Sequence, residues 1–255
     1  MLEIIQLESL KDNYIYLVRS NGKTAVVDPT EAAPVLKALE ERDWKLDWVW
    51  NTHHHWDHVG GNLELKQKTG CAIWASEYDF DRTPGCDRGL EPGETIEFGD
   101  CRVEVIGVPG HTLGHVAFWF SKEKTLFPGD TLFSLGCGRL FEGTAAQMWE
   151  TLSRLCDLPA DTVVYSAHEY TLANASFALS LEPSNSNLLS YIEKAREKRK
   201  KGQPTVPFLL GEERAVSPFL RAKDRDLQEA LGLITSGPVK VFAEVRRRKD
   251  TYIDP

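Results

Sequence analysis

The first two thirds of the chain contain many short apolar runs with the pattern of β-strands. They include NYIYLVRS, KTAVVDP, LDWVWNTH, CAIWAS, CRVEVIGV, HVAFWFS, KTLFPGD and TVVYSAH. Apolar residues recur instead at helical spacing near residues 32–42, 60–69 and 144–156. In the last span, Thr144 can cap a helix whose buried face would hold Met148, Trp149, Leu152 and Leu155. The pattern predicts a mixed α/β domain.

Strand patterns disappear after residue 170. Helices are predicted over TLANASFALSL, SNLLSYIEKAREKRKKG and DRDLQEALGLI, which Pro and Gly residues separate. The sequence therefore predicts an α/β domain over residues 1–170 and a helical domain over residues 171–255. The opening residues MLEIIQ contain only a short apolar run, which favours a first strand over a signal peptide or a membrane span.

Charge is distributed unevenly along the 255 residues, whose net charge is −8. Residues 1–168 carry 15 Lys and Arg against 26 Asp and Glu, whereas residues 169–255 carry 15 against 12. The acidic body argues against a nucleic-acid partner, while the basic tail could bind a small anionic ligand or form the solvated face of a helix. Five scattered cysteines without a C-x-x-C pair argue against disulfides and indicate a reducing cytoplasm.

Histidines are few but clustered, and four of the seven lie in the segment NTHHHWDHVGGN. Four of the predicted strands lead, at their carboxyl ends, into residues that can bind metal. If those ends converge, they gather His53, His55, Asp57, His58, His111, Asp130 and His168. In an extended chain His53 and His55 point the same way and His54 points the opposite way. A turn after Trp56, toward a helix near Gly60, would direct Asp57 and His58 at a second ion.

The donor atoms of these residues predict a binuclear metal centre. Nitrogen and oxygen donors without thiolate suit zinc, iron or manganese rather than a structural cysteine–zinc site. Seven ligands exceed the needs of one ion, but they suit two ions that share a carboxylate and ionise a water for hydrolysis. Purely structural roles would leave the coincidence of five histidines at strand ends unexplained.

These motifs resemble those of a known superfamily. THHHWDH is similar to the T-H-x-H-x-D-H signature of the metallo-β-lactamase fold, and PGHTLGH, FPGDTLF and AHEY resemble its later ligand motifs in order. CGRLFEGTAAQM, SAHEYTLANASFALS and VRRRKD resemble the hydroxyacylglutathione hydrolases, or glyoxalase II enzymes, over nearly the whole chain. The resemblance implies an α/β fold, the αββα four-layer sandwich, followed by a C-terminal helical substrate-binding domain.

The resemblance also implies an activity and a ligand set. Such an enzyme hydrolyses S-lactoylglutathione to glutathione and D-lactate, the second step of methylglyoxal detoxification. Its first metal would be bound by His53, His55 and His111 and its second by Asp57, His58 and His168, with Asp130 bridging. Asp57 and Asp130 are the candidate catalytic carboxylates. We expect two divalent ions, with zinc favoured and iron or manganese as alternatives.

Four further residues receive supporting roles by the same resemblance. His54 and His115 match no ligand position, so we assign them to hydrogen bonding or packing, and His54 could orient the ligands. Asp28, which closes the apolar run TAVVDP, would also orient them. Cys137 would fill a tight space between glycines, since an ionised water already supplies the nucleophile.

The family pattern implies that glutathione is bound by Arg139, Tyr170, Arg246 and Lys249, with Asn174 as a further candidate. Cationic side chains suit the glycyl carboxylate of the tripeptide. Phe141 departs from the tyrosine of animal members, which removes a hydroxyl contact to substrate. We expect a cytoplasmic monomer that acts on a small glutathione thioester, without nucleic-acid or membrane partners. A mononuclear-iron persulfide dioxygenase, another hydrolase of the same fold and a non-catalytic metal-binding protein are the alternatives.

Overall fold

The structure, a computed structural model, describes residues 1–253 and divides into two compact units. The first unit holds residues 1–108 and 113–129, and the second holds residues 109–112 and the chain from Asp130 onward. This geometric division does not coincide with the domain boundary predicted at residue 170. That boundary stays a prediction.

A six-stranded mixed sheet forms one layer of the first unit. Its strands lie side by side in sequence order, with antiparallel pairing from β1 to β3 and parallel pairing from β3 to β6. They are β1 (Glu3–Ser9), β2 (Asn13–Ser20), β3 (Lys23–Val27), β4 (Trp48–Trp50), β5 (Ala72–Ser76) and β6 (Arg88–Leu90). Strands β2 and β3 are buried over most of their length, as their continuous apolar runs predict.

Four antiparallel strands form a second layer of the first unit, in the order β10-β9-β8-β7. They are β7 (Thr95–Phe98), β8 (Cys101–Gly107), β9 (Val116–Phe120) and β10 (Thr125–Phe127). Aromatic residues fill the space between the two layers. Trp50 of β4 stacks on Phe118 at 5.3 Å between ring centroids, and Phe98 meets Trp50 edge-on at 5.0 Å. This buried core fixes the end of β4, from which the histidine-rich segment starts.

Helices cover the connections of the first unit. They are α1 (Ala32–Glu40), α2 (Trp56–Val59), α3 (Asn62–Thr69) and a 3₁₀ helix (Glu77–Arg82). Helix α1 confirms the prediction near residues 32–42 and buries Val35 and Leu39 in one cluster with Val49. Helix α3 confirms the helix expected over residues 60–69, whereas the turn expected after Trp56 is instead the short helix α2. Gly60 and Gly61 separate α2 from α3, and a Cβ on either would collide with the backbone of residues 29–31.

The second unit is mainly helical but contains two short strand pairs. Its helices are α4 (Ala145–Leu155), α5 (Thr171–Leu181), α6 (Ser186–Lys200), α7 (Leu210–Val216), α8 (Arg225–Leu231) and α9 (Pro238–Asp250). Its antiparallel strand pairs are β11 (Leu132–Phe133) with β12 (Gly136–Cys137), and β13 (Val163–Val164) with β14 (Phe208–Leu209). The prediction that strands end before residue 170 was therefore wrong for β14. A two-residue strand is too short to show an alternating pattern.

Helix α4 agrees with its sequence pattern in both its cap and its buried face. Thr144 accepts a hydrogen bond from the Gln147 amide while the Gln147 side chain accepts one from the Thr144 amide, which completes a capping box. The predicted stripe of Met148, Trp149, Leu152 and Leu155 is buried. Trp149 packs against Phe242 of α9 with 6.1 Å between ring centroids, so this stripe is core.

No helix within residues 1–253 is long and apolar enough to cross a membrane.

Candidate metal centre and substrate cavity

The histidine-rich segment follows β4 directly and directs alternate rings to opposite sides. The Nε2 atom of His53 lies 2.9 Å from the Nδ1 atom of His55, whereas His54 turns to Asp79, with 3.1 Å between its Nδ1 and Oδ2. Arg82 also contacts the Asp79 carboxylate, which is fully buried. The ring of His115 stacks on His53 at 4.5 Å, and its Nδ1 lies 3.1 Å from the Val116 carbonyl. The chain thus brings His53 and His55 together and directs His54 elsewhere.

Asp57 and His58 lie within helix α2 rather than in a turn before a helix. The carboxylate of Asp57 approaches the Nε2 atom of His58 at 3.6 Å. Asn13, the first residue of β2, donates a hydrogen bond of 3.1 Å to Asp57 Oδ2. The side chains of Asp57 and His58 therefore meet on helix α2. Asn13 of β2 holds the Asp57 carboxylate in place.

Asp28 fixes the orientation of the surrounding imidazoles. It follows β3 with a positive φ of 49°, and its carboxylate accepts hydrogen bonds from the Thr52 amide (2.7 Å), the Thr52 hydroxyl (2.7 Å) and His58 Nδ1 (3.0 Å). The Thr52 hydroxyl also lies 3.1 Å from His53 Nδ1. Because the Nδ1 atoms of His53 and His58 are engaged in this way, Nε2 is the nitrogen of each ring that could bind a metal ion.

The second unit holds three further candidate ligands, His111, Asp130 and His168. Asp130 Oδ2 lies 3.5 Å from His111 Nε2, and Asp130 Oδ1 lies 3.4 Å from His168 Nε2. The Nδ1 atom of His111 lies 2.7 Å from the Arg139 carbonyl, which again leaves Nε2 to face Asp130. Gly138 makes this packing possible, because a Cβ there would lie 2.2 Å from the Asp130 carbonyl oxygen and 2.7 Å from His111 Nδ1. The His168 ring stacks on Tyr170 at 4.7 Å.

The donor set fits divalent metal ions. It offers imidazole nitrogens and carboxylate oxygens, and His53, His58, His111 and His168 are each at most 3% exposed. Uncoordinated histidines in such numbers are costly to bury side by side, whereas buried imidazoles oriented through Nδ1 are typical of metal ligands. Within the first unit, donor atoms of Asp28, His53 and His58 lie within 4.8 Å of one another.

A cavity of about 380 Å³ lies within the second unit. Its wall includes all five residues predicted to contact glutathione, namely Arg139, Tyr170, Asn174, Arg246 and Lys249. Asp130 and Phe141 line the same cavity, and Phe141 is 63% exposed. The volume is within the usual range for small-molecule sites. The structure therefore brings these five side chains together, while their contacts to substrate stay a prediction.

The two basic residues of α9 on this wall are held firmly. Arg246 is 5% exposed, donates to the Cys137 carbonyl at 2.9 Å and pairs with Asp250 at 2.8 Å. The ammonium group of Lys249 donates to the Ala173 carbonyl at 2.9 Å. Both residues face one side of the helix, as a spacing of three predicts. Arg247 instead points to solvent and pairs with Glu244 at 2.8 Å.

Cys137 and Asn174 of the cavity wall are buried, each 5% exposed. Burial raises the pKa of the Cys137 thiol to about 11, against the lowering effect of nearby Arg246. A thiol with that pKa is not a nucleophile at neutral pH. Asn174 donates its side-chain amide to the Ser134 carbonyl at 3.0 Å, and it lies so near Gly136 that a Cβ there would clash.

Several supporting residues escaped the sequence analysis. Thr52 was visible within the histidine motif. Its hydrogen bonds to Asp28 and His53 could not be predicted, because Asp28 is distant in the sequence. Asn13 was visible only as a polar residue at the start of an apolar run. Asp79 and Glu213 gave no signal, because a buried carboxylate in a helix resembles a solvated one in sequence.

Comparison with known proteins agrees with this geometry. A model of the metallo-β-lactamase superfamily matches residues 10–168, and a model of the hydroxyacylglutathione hydrolase C-terminus matches residues 169–252. A hydroxyacylglutathione hydrolase from Methylococcus capsulatus is 53% identical over 254 residues, which cover 99% of this chain and 99% of that protein.

Two solved structures share the fold. ETHE1 from Myxococcus xanthus is 22% identical with a TM-score of 0.67, over 96% of this chain and 97% of its own. The protein TTHA1623, in a di-iron-bound form, is 27% identical with a TM-score of 0.58, over 65% of this chain and 91% of its own. The predicted metallo-β-lactamase fold with a C-terminal helical region is thereby confirmed. Because two family models span residues 10–252 and a full-length relative shares more than half of its residues, the chain belongs to the hydroxyacylglutathione hydrolases of the metallo-β-lactamase superfamily.

Proposed function

We propose that the protein hydrolyses S-(2-hydroxyacyl)glutathione thioesters, with S-lactoylglutathione as the reference substrate. Water attacks the thioester carbonyl carbon, the carbon–sulfur bond breaks, and the products are glutathione and a 2-hydroxy acid, D-lactate. The observation that carries the proposal is the full-length match to the hydroxyacylglutathione hydrolase from Methylococcus capsulatus. A cavity that combines Asp130 with basic and aromatic side chains supports it.

We propose that two divalent ions are bound per chain. His53, His55 and His111 would hold the first, Asp57, His58 and His168 the second, and Asp130 would bridge them. The supporting observation is that the two oxygens of Asp130 approach different imidazoles. Zinc is the proposed metal, with iron or manganese as alternatives, and TTHA1623 was solved with two irons. When bound, the ions would supply the Lewis acidity needed to lower the pKa of a water and to polarise the thioester carbonyl.

The chain's own carboxylates orient the reacting groups. Asp57 would accept a hydrogen bond from the attacking water, and Asn13 holds that carboxylate by donating to Oδ2. No serine or cysteine nucleophile is required, which suits the buried, protonated thiol of Cys137. The departing glutathione thiolate has an ordinary pKa near about 8.5, so it can leave without a strong general acid.

The glutathione moiety would lie in the cavity of the second unit. Lys249 and Arg246 carry the positive charge for the glycyl carboxylate, and Arg139 adds a third cation on the same wall. Tyr170 supplies a hydroxyl and an aromatic face beside His168. Phe141 offers an apolar ring where a tyrosine would offer a hydroxyl, so substrate contacts there would be made by packing alone. We further propose a cytoplasmic location, which the five free cysteines support, and a monomeric state.

The deciding experiment is an assay of S-lactoylglutathione hydrolysis on protein whose metal content has been measured. Loss of thioester absorbance should match the release of one free thiol per substrate. Oxygen consumption with glutathione persulfide tests the persulfide dioxygenase alternative, which the family match supports less. Oxygen uptake without thioester turnover in metal-loaded protein would overturn the proposed function.

A further inference from the structure

The hairpin of β11 and β12 forms much of the cavity wall, and its turn has an unfavourable backbone. Asp130 lies two residues before the first residue of the hairpin, and Cys137, Gly138 and Arg139 lie at its other end. Leu135, the second turn residue, has a φ of +56°. A left-handed conformation is unfavourable for a bulky residue, so the surroundings must hold the turn.

Glu213 of helix α7 holds this turn from outside the cavity. Its fully buried carboxylate accepts a hydrogen bond from the Ser134 hydroxyl at 2.8 Å and another from the Leu135 amide at 2.8 Å. The Tyr191 hydroxyl of α6 donates to the same carboxylate. Leu135 is itself buried in a cluster with Ala175 and Ile192 from α5 and α6, among others. Backbone and side chain of the turn are therefore both fixed.

Other hydrogen bonds to the backbone of the hairpin and its flanking residues come from residues of the candidate site. Asn174 donates to the Ser134 carbonyl at 3.0 Å, Arg246 donates to the Cys137 carbonyl at 2.9 Å, and His111 Nδ1 lies 2.7 Å from the Arg139 carbonyl. Glu213 differs from these three because it neither lines the cavity nor belongs to the predicted metal ligands. Its effect on the site can act only through the hairpin.

We propose that Glu213 is a positioning residue that sets Asp130 and Arg139 for substrate by anchoring the Ser134–Leu135 turn. The proposal rests on the thioester hydrolase function proposed above. Without the carboxylate the Leu135 amide loses its acceptor, and the turn relaxes toward a backbone that leucine prefers. Both ends of a hairpin only six residues long then move, and the cavity loses its shape around the glutathione moiety.

The protonation of Glu213 provides a signature that a purely structural residue would lack. The groups that face its carboxylate are Ser134 and the Leu135 amide from the hairpin, Tyr191 from α6, and Glu212 on its own helix. Burial is the largest effect and raises the pKa of Glu213 to about 7, although the hydrogen bonds lower it. Protonation below that pH occupies one oxygen lone pair and weakens the anchor. Substrate affinity should therefore fall below about pH 7, and Glu213→Gln should lack this transition.

The test compares Glu213→Gln with Glu212→Gln, its exposed neighbour, in metal-loaded protein. Three quantities are measured: the exchange rate of the Leu135 amide hydrogen, the affinity for S-methylglutathione between pH 6 and 8.5, and KM and kcat for S-lactoylglutathione. Loss of about one hydrogen bond predicts roughly tenfold faster exchange and a roughly tenfold higher Kd and KM in Glu213→Gln at pH 8. Glu212→Gln should stay within about twofold of the wild type.

Each outcome separates the two proposals. If the wild type neither binds S-methylglutathione nor hydrolyses the thioester, the proposed function fails, while exchange at Leu135 still reports whether the anchor exists. Faster exchange with unchanged Kd and KM in an active enzyme would show a structural role alone and overturn the positioning role. If Glu213→Gln does not fold, Ser134→Ala removes only one hydrogen bond to the carboxylate. An unchanged KM and unchanged Leu135 exchange in that variant would also overturn it.

Discussion

Asp130 offers one carboxylate oxygen to each of two imidazoles: Oδ2 lies 3.5 Å from Nε2 of His111, and Oδ1 lies 3.4 Å from Nε2 of His168. A carboxylate divided in this way can serve two ions at once, which a hydrolytic site needs in order to bridge its metals. The arrangement is held from the backbone, because the Arg139 carbonyl fixes the His111 ring. Asp130 is therefore the most informative single residue to change.

Asp130→Asn should lower kcat by about a hundredfold or more. The substitution keeps the volume but removes the negative charge and replaces one oxygen by a donor, which opposes a cation. Metal content, measured by elemental analysis, should fall together with kcat. Asp100→Asn, which changes an exposed carboxylate, is the matched control and should behave as the wild type. Full turnover with a full complement of metal in Asp130→Asn would contradict the bridging role.

Fully active protein should contain about two divalent ions per chain. Seven nitrogen and oxygen donors exceed the four or five positions of one zinc ion. Removal with a chelator should abolish thioester hydrolysis and lower the melting temperature, because ions that bind only the folded chain stabilise it by mass action. Elemental analysis and calorimetry on the same sample test both effects. One ion per chain at maximal activity would disprove the binuclear assignment.

Cys137→Ala should leave kcat within about twofold of the wild type. The thiol has a pKa of about 11 because it is buried, so almost none is ionised at pH 7.5. The change keeps the Cys137 carbonyl that accepts a hydrogen bond from Arg246. Alkylating reagents should likewise fail to inactivate the folded enzyme. A tenfold loss of kcat in folded, metal-loaded Cys137→Ala would instead mean that the sulfur takes part in the reaction.

The sequence was sufficient where a local pattern determines the structure. Apolar runs that end in His or Asp predicted the strands β4, β8, β10 and β13 and the residues that follow them. The cap at Thr144 predicted the start of α4. These features depend on neighbours along the chain, so periodicity and capping chemistry are enough to find them.

The sequence was insufficient where distant residues meet. Asn13 and Asp57 are 44 positions apart, and Ser134 and Glu213 are 79 apart, yet each pair is joined by a hydrogen bond. Nothing in the composition of either segment separates these polar residues from solvated ones. Helix α2, where a turn was expected, was missed for a related reason, since the contact of Gly60 and Gly61 with residues 29–31 separates it from α3.

The stability of the wild type should depend on pH through Glu213. Its pKa is raised by burial from 4.5 to about 7, so the folded protein binds the proton more tightly than the unfolded chain. The resulting stabilisation is complete below about pH 4.5 and is lost as pH rises through about 7. At about 1.4 kcal/mol per pH unit the loss is up to about 3 kcal/mol. Denaturant unfolding from pH 5 to 8.5 should show it.

Glu213→Gln removes this contribution, so its unfolding free energy should vary less across the same interval. Subtracting the unfolding free energies of the two proteins at each pH removes the contributions of all other titrating groups, including the histidines. If the unfolding free energies of the wild type and the variant change in parallel with pH, Glu213 does not titrate in this range.

Lys249→Ala should raise KM for S-lactoylglutathione about tenfold and change kcat little. A cation that binds the glycyl carboxylate, far from the reacting carbonyl, stabilises the ground state and the transition state alike. Arg246→Ala should raise KM and also lower kcat, because Arg246 additionally donates to the Cys137 carbonyl and pairs with Asp250. Comparison of the two variants therefore distinguishes the effect of positive charge in the cavity from the effect of supporting the hairpin.

Arg247→Ala is the matched control for both. Arg247 lies on the same helix but is 63% exposed, and its hydrogen bonds, followed by those of Arg248, lower the pKa of Glu244 to about 2. Its removal should leave KM within about twofold of the wild type. A thioester whose glycyl carboxylate is amidated supplies the complementary test, since the wild type should use it about as poorly as Lys249→Ala uses the natural substrate. If Lys249→Ala loses as much activity on the amidated substrate as on the acid, the lysine does not recognise that carboxylate.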